Sequence, residues 1–258
     1  DIIQNKSLNY IGGKGLFIKE VEKCIINQQA DIAVHSMKDL EWKLNKKTII
    51  GAVPKRSSTK DVFISKWDNI EQVPKNILIG TSSVRRKAFL LAYNPNYKIA
   101  FLRGNINSRL KKLFNGQYDA IVLAEAGIKR LGIKTNYFQI PERILPPSAC
   151  QGALAIQCLK NNNNLSKVLK LLNDENSFLE TMCERKFVES LNGNCSSPIS
   201  ASAKINNKEI FLKGAVAEEN GSIVIKDEIS GYYKDAEKIG VELGKKVLLK
   251  VKKNGSFL

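Results

Sequence analysis

Between Ile77 and Gly132 the chain alternates strand-like and helix-like segments at short spacing, and this pattern constrains the fold more than any other feature. Ile77 to Gly80 reads as a buried strand and Ser83 to Ala92 as a helix. Ile99 to Leu102 is a second strand, followed by a helix from Ile106 to Phe114 that Asn115-Gly116 closes. Ala120 to Leu123 is a third strand, and a short helix from Ala126 to Leu131 ends at Gly132. Such alternation predicts a parallel sheet with right-handed crossovers. Ligands bind such sheets at the carboxyl ends of the strands. Here those ends carry Thr81-Ser82-Ser83, Arg103-Gly104-Asn105 and Ala124-Glu125-Ala126, so site chemistry is expected to collect on one edge.

The flanking segments differ. Residues 16 to 27 read as a helix with Phe17, Val21, Cys24 and Ile25 on one face, and Ile32 to Val34 and Ile49 to Val53 as short strands. Pro54 to Ser58 is polar and hinge-like, and Leu145-Pro146-Pro147 interrupts the pattern again. A strand is predicted from Gln151 to Ile156, then helices over Leu165 to Leu172 and Asn176 to Leu191. Beyond Asn192-Gly193, strands at Ile199 to Ala203, Phe211 to Ala217 and Ile223 to Ile229 precede a helix from Ala236 to Val251. That last block is an antiparallel sheet with helices. The expected fold class is therefore α/β with a small C-terminal α+β domain. The expected domains are residues 1–54 with 153–172, residues 58–148, and residues 175–258.

The net charge of +16 fits a Lys-rich solvated surface drawn from an AT-rich genome, and equally an acidic partner. The arginines are more informative. There are eight, and Arg85, Arg86, Arg103, Arg109 and Arg130 fall in one stretch. Arginine makes paired, geometrically fixed hydrogen bonds to carboxylate or phosphate, which lysine does not. Clustered arginines in a Lys-rich chain point to a specific anion site. Five cysteines without a CxxC pair argue for a reducing compartment, and a single histidine argues against a zinc site. No apolar run is long enough to suggest a membrane span.

Thr81 to Arg86 sits at a strand-to-helix junction, where backbone N–H groups, the Ser82 and Ser83 hydroxyls and the Arg85 and Arg86 forks can together cradle an anion. The alternative is a Ser cap followed by solvated arginines. Arg103 and Arg109 are six apart and converge only if Arg103 lies in the loop before the helix. In His35-Ser36-Met37-Lys38-Asp39, Lys38 and Asp39 can form a tuned acid/base pair, or Asp39 can simply cap a helix. His35 and Asp39 lack the nucleophile elbow and oxyanion loop of a hydrolytic triad. Gly12-Gly13-Lys14-Gly15 departs from phosphate-loop spacing and fits a mobile Gly-rich lid carrying one cation, Lys14. Cys195 stands on a Gly/Asn/Ser/Pro turn, where a thiol is accessible to act as a nucleophile; the other four cysteines fall in apolar or helical contexts.

In order and spacing, several segments together resemble the porphobilinogen deaminase (hydroxymethylbilane synthase) family. They are Gly12 to Phe17 (GGKGLF), Asp31 to Asp39 (DIAVHSMKD), Gly80 to Arg86 (GTSSVRR), Leu102 to Leu110 (LRGNINSRL), Tyr118 to Gly132, Gln151 to Ala153 and Gly193 to Ile199 (GNCSSPI). The resemblance implies two lobes like those of periplasmic binding proteins and a third domain presenting the cysteine. It implies a transferase of haem (tetrapyrrole) biosynthesis, acting as a monomer without metal. Its dipyrromethane cofactor would hang by a thioether from Cys195, and four porphobilinogen molecules would be joined head to tail with loss of ammonia. Asp39 matches the catalytic carboxylate, with Lys38 beside it. Ser82, Ser83, Arg85, Arg86, Arg109, Lys38 and Asp39 match cofactor-binding positions. Arg103, Arg109, Arg130, Lys14 and Ser36 match substrate-binding ones.

Two departures, Asn194 where a second Gly is common and Glu41 where a Pro is usual, touch none of the proposed chemistry. Family members open with a strand and an Arg/Ser loop ahead of the first residue here; a protein that truly lacks this segment would miss a core strand of the first domain. Two other classes compete. A solute-binding module would share the sheet and anion cradle but needs no loop thiol. An RNA-binding protein would want aromatic stacking groups among its basic residues, and only 7% of residues are aromatic. The expected setting is intracellular, in a bacterial cytoplasm or a plastid-type organelle of an AT-rich parasite.

Overall fold

A computed structural model describes residues 13–193 and 197–255. Three sheets organise it. Helix α1 (Gly13–Ile26) precedes β1 (Ile32–Ser36), a 3-10 turn (Met37–Asp39) and β2 (Thr48–Ala52). The middle of the chain forms β3 (Asp61–Ser65), β4 (Leu78–Gly80), α2 (Val84–Tyr93), β5 (Lys98–Ala100), α3 (Ile106–Phe114), β6 (Ala120–Ala124), α4 (Glu125–Arg130) and β7 (Phe138–Gln139). There follow β8 (Leu154–Leu159), α5 (Asn163–Leu172), α6 (Glu175–Ser190), β9 (Ile199–Asn206), β10 (Glu209–Ala217), β11 (Val224–Tyr232) and α7 (Ala236–Lys253).

The central sheet has the order β5-β4-β6-β3-β7. Its β5-β4-β6 half is parallel, as the alternation predicts, but β3 runs antiparallel to both β6 and β7. The parallel arrangement expected for those three strands therefore holds, and the antiparallel β3 and β7 are additions to it. β3 enters from the hinge rather than through a helical crossover, which frees it from the handed βαβ geometry. The sheet is covered on both faces. Phe63, Ile79, Ala120 and Val122 pack with Phe89 and Leu90 of α2 on one side. Val62, Ile64, Ile121 and Leu123 pack with Leu110, Leu113 and Ile128 on the other. Successive residues of β3 and β6 alternate between these cores, as a pleat requires. Each fully buried large side chain, Phe63 and Phe89 among them, contributes on the order of 1.5–3 kcal/mol.

The first sheet, β1-β8-β2, is antiparallel, so the first and last parts of the lobe meet through β8. β8 begins at Leu154, not at Gln151 as expected, because Cys150 (φ 59°) and Gly152 (φ 84°) form a turn first. Gly152 is required there. A Cβ would lie 2.4 Å from the Ser58 carbonyl oxygen and 2.7 Å from that of Ser57. The two connecting segments cross at this point, and Ser57 N–H donates to the Gly152 carbonyl at 3.1 Å. The C-terminal sheet, β11-β10-β9, packs on α6 and α7 around Phe187, Leu212, Leu243 and Val247. Glu184 of α6 is buried, takes a bidentate bond from Arg56 and accepts from the Cys150 and Ala203 N–H groups. It thereby ties the crossing segments to the third sheet.

Candidate functional site

A cavity of about 500 Å³ opens where the three sheets converge. Its lining includes Ser82, Ser83, Arg85, Arg86, Arg109 and Arg130 from the central unit, Ser36, Lys38 and Asp39 from the first, and Ser197 from the third. β4 ends at Gly80 and delivers Thr81 to Ser83 to the head of α2. Ser83 caps that helix, its Oγ accepting from Arg86 N–H at 3.3 Å, but the arginines behind the cap are buried rather than solvated, and the hydroxyl proton stays available to a ligand. The carboxyl ends of β4 and β6 thus meet at the cavity, as the sheet rule anticipates.

Behind the cavity wall lies a residue that the sequence reading did not single out. Asp61, at the start of β3, is buried. Its Oδ2 accepts from Arg85 Nη2 at 2.5 Å. Its Oδ1 accepts from Arg86 Nη2 at 2.7 Å, Arg86 Nε at 3.1 Å and Gln151 Nε2 at 3.1 Å. Arg85 Nη1 also donates to the Pro146 carbonyl, and Arg86 Nη1 to that of Val122 at 2.8 Å. Lys38 Nζ reaches Gln151 Oε1 at 3.3 Å. Burial opposes the Asp61 charge, but the flanking Arg85 and Arg86 guanidinium groups overcome it and hold the carboxyl down near 2. Burial, reinforced by the Arg86 charge, pushes the Lys38 ammonium down to about 8. The available signal was the apolar run Val62 to Ile64 behind a single acid, too short and too uniform to show strand alternation.

The remaining predicted residues divide. Arg109 lies in α3 with Nε donating to the Gly104 carbonyl at 2.7 Å, and burial and the neighbouring Arg86 push its guanidinium down while Asp39 opposes this. Arg130, at the end of α4, donates to the Gly152 carbonyl at 2.7 Å and so spans from the central unit to the crossing segments. Arg103 does lie in the loop before α3, yet its guanidinium sits over the Phe101 ring at 5.5 Å and does not line the cavity. The structure therefore separates Arg103 from Arg109, because the ring offers a cation a face outside the cleft. Asp39 closes the 3-10 turn after β1, whose Met37 is anchored in the core. Lys14 falls in the first turn of α1, and its side chain is outside the described residues; Cys195 is outside them altogether. Ser197, two residues further on, lines the cavity. Cys150, Cys158 and Cys183 are buried, and burial raises each thiol, Cys150 to about 12, which suits core residues rather than nucleophiles.

Five cations, Lys38, Arg85, Arg86, Arg109 and Arg130, thus gather around two carboxylates, Asp39 and Asp61. Arg85 Nε is buried without a partner among the described residues. An excess of positive charge held in a partly dry cleft favours a ligand with several negative groups.

Comparison with known proteins agrees with this chemistry. Residues 1–167 match the family described as porphobilinogen deaminase, dipyrromethane cofactor binding domain, and residues 178–249 match porphobilinogen deaminase, C-terminal domain. The porphobilinogen deaminase of Buchnera aphidicola subsp. Acyrthosiphon pisum is 42% identical over 258 residues, covering 99% of this chain and 81% of the relative. That of Clostridium novyi is 40% identical over 257 residues, covering 97% and 86%. Among solved structures, a periplasmic binding protein of an arginine transport system from Legionella pneumophila is similar at a TM-score of 0.34 and 20% identity, over 58% of this chain and 68% of that one. An amino acid transporter substrate-binding protein from Streptococcus pneumoniae bound to L-arginine gives 0.37 and 15%, over 59% and 64%. These structural likenesses are loose, and the assignment rests on the sequence matches. With both family models in order along its length and relatives at this identity, the chain belongs to the porphobilinogen deaminase family.

Proposed function

We propose that this cavity joins four porphobilinogen molecules head to tail into a linear tetrapyrrole, with release of ammonia, on a dipyrromethane primer attached through Cys195. The observation that supports it is the excess of cationic groups beside Asp39 in a cleft bordered by Ser197, two positions after Cys195 in the sequence. The residues present suit a dipyrromethane. Each of its rings carries two carboxylates, and the cleft offers Arg109, Arg130 and Lys38 together with the Ser82 hydroxyl and the hydroxyl proton of Ser83. When bound, the cofactor supplies the free pyrrole carbon to which the first substrate ring is joined.

Asp39 accepts hydrogen bonds from pyrrole N–H groups and stabilises the positive charge that develops as ammonia leaves the substrate. A fixed anion aimed at a developing cation is commonly among the largest catalytic contributions. Lys38, Ser36 and the arginines orient the acetate and propionate arms, which holds the reacting carbons in register. Arg85 and Arg86 are mostly committed to Asp61, so their part is to carry the positive field of the cradle. Arg109 and Arg130 are the freer arms; Arg103 joins this set by swinging toward the cleft with ligand bound, and Lys14 is assigned to it as a further cation.

We read the chain as three domains, at 1–54 with 153–172, 58–148 and 175–258, a division that the three separate sheets support, and the working form as a monomer. No helix among the described residues is long and apolar enough to cross a membrane. The relatives named above are bacterial, which supports an intracellular bacterial setting and lends nothing to a plastid. Asp39→Asn tests the reading: the variant should fold and load its cofactor but lose turnover by about two orders of magnitude or more, followed as porphobilinogen consumption. Near-normal turnover would overturn the role given to Asp39.

A further inference from the structure

The first sheet carries a polar chain through its interior that the chemistry above does not use. Gln157, fully buried on the central strand β8, accepts at Oε1 from His35 Nε2 at 2.9 Å. Its Nε2 donates to Glu22 Oε1 at 2.7 Å and to Thr48 Oγ1 at 2.8 Å, and Thr48 Oγ1 donates to Glu22 Oε1 at 3.0 Å. The acid end fixes the direction of the whole chain. The Glu22 carboxylate only accepts, so the Gln157 amide nitrogen must face it and the Gln157 oxygen must face His35. His35 then carries its proton on Nε2.

Apolar side chains of similar volume would fill such a sheet centre at little or no cost in stability, so the network calls for another reason. Its two ends supply one. His35 is the penultimate residue of β1, immediately before Ser36 and four before Asp39, and β1 passes into the 3-10 turn that carries Lys38 and Asp39. Met37 N–H donates to the Ala153 carbonyl at 3.0 Å, so that turn is held against the residue that leads into β8. At the other end Glu22 lies on α1, eight residues from Lys14, or about 12 Å along a helix. Gln157 therefore links α1 and the middle of β8 to the end of β1, where Ser36 lines the cavity, and β8 follows directly on Gln151 to Ala153, which line it too.

We infer that His35 is a positioning residue for Asp39, and that His35, Gln157, Thr48 and Glu22 set the end of β1 against β8 so that the Asp39 carboxylate is held where substrate needs it. The role rests on Asp39 being the catalytic carboxylate. It is tested in the holoenzyme with His35→Leu, His35→Gln and the double variant His35→Leu/Gln157→Leu. Misplacement of a catalytic group by about 1 Å costs up to about a hundredfold, so His35→Leu should lower kcat about tenfold or more while leaving KM for porphobilinogen and cofactor loading within about twofold. His35→Gln, which keeps a donor toward Gln157, should recover most of kcat. The double variant leaves no orphaned partner between the two positions, although it also takes the amide donor from Glu22 and Thr48, so it should keep the low kcat whatever it regains in thermal stability. A double variant with wild-type kcat would overturn the inference, since the pair would then serve stability alone. Asp39→Asn measured alongside separates the two readings. Normal turnover in Asp39→Asn removes the role of Asp39, whereas an inactive Asp39→Asn beside a fully active double variant removes His35 only.

Discussion

Asp61→Asn isolates the counter-charge at the heart of the site. The carboxylate receives four hydrogen bonds from Arg85, Arg86 and Gln151, and no water-exposed surface relieves it. Asparagine keeps the shape, removes the charge and turns an amide NH2 toward groups that are themselves donors. Removing one partner of a buried ion pair leaves uncompensated charge and costs about 3–5 kcal/mol. For a chain of this size that corresponds to a fall in Tm of roughly 6–20 °C. The loss should be largest in the protein without cofactor, because a bound ligand's carboxylates supply part of the missing negative charge. Urea and thermal unfolding of both forms, wild type against variant, measure it. A loss below about 1 kcal/mol, or an equal loss in both forms, would refute the reasoning. The wild-type pH profile carries a companion sign. The Asp61 carboxyl is held near 2 against a usual 3.8, so its contribution is complete above pH 3.8 and disappears as pH falls from there toward 2.

Lys38 titrates near 8, so kcat/KM should fall as pH rises through about 8 while its charge is lost, and Lys38→Arg should abolish that limb; a limb that persists in the variant assigns it to another group. The folded-state value lies below the usual 10.5, so stability from this group rises between pH 8 and 10.5, and the loss of activity there is not unfolding. Gly152→Ala drives a Cβ into the Ser57 and Ser58 carbonyl oxygens at a φ of 84° and should lower stability by about 1–3 kcal/mol or more; an unchanged Tm would contradict the crossing geometry.

The parts of the fold with local punctuation were legible in the sequence. Helix α3 runs from Ile106 to Phe114 as read, because Asn105 caps it, its Oδ1 accepting from Ser108 N–H, and Asn115-Gly116 ends it. The Thr81 to Arg86 junction was legible for the same reason. β3 was not: Val62, Phe63 and Ile64 are all buried, so no polar alternation marks the strand, and the hinge-like residues before it suggested a loop. Asp61 followed β3 into obscurity, because nothing local distinguishes a buried acid from a solvated one. The Arg103 side chain's place over Phe101 was not legible, since spacing alone says where a backbone goes and not which of two faces, ring or cleft, a guanidinium takes without ligand. The Glu22–Gln157–His35 chain joins residues more than a hundred positions apart, a relation that only strand register reveals.

The central claim is that Cys195 holds a dipyrromethane in this cleft, and the intact mass of the purified protein beside a Cys195→Ser variant tests it most directly. The wild-type protein should carry an added mass equal to two linked pyrroles, present from purification or acquired on incubation with porphobilinogen, and the variant should carry none. A wild-type chain that stays bare after porphobilinogen, or a variant that carries the same addition, would contradict the account.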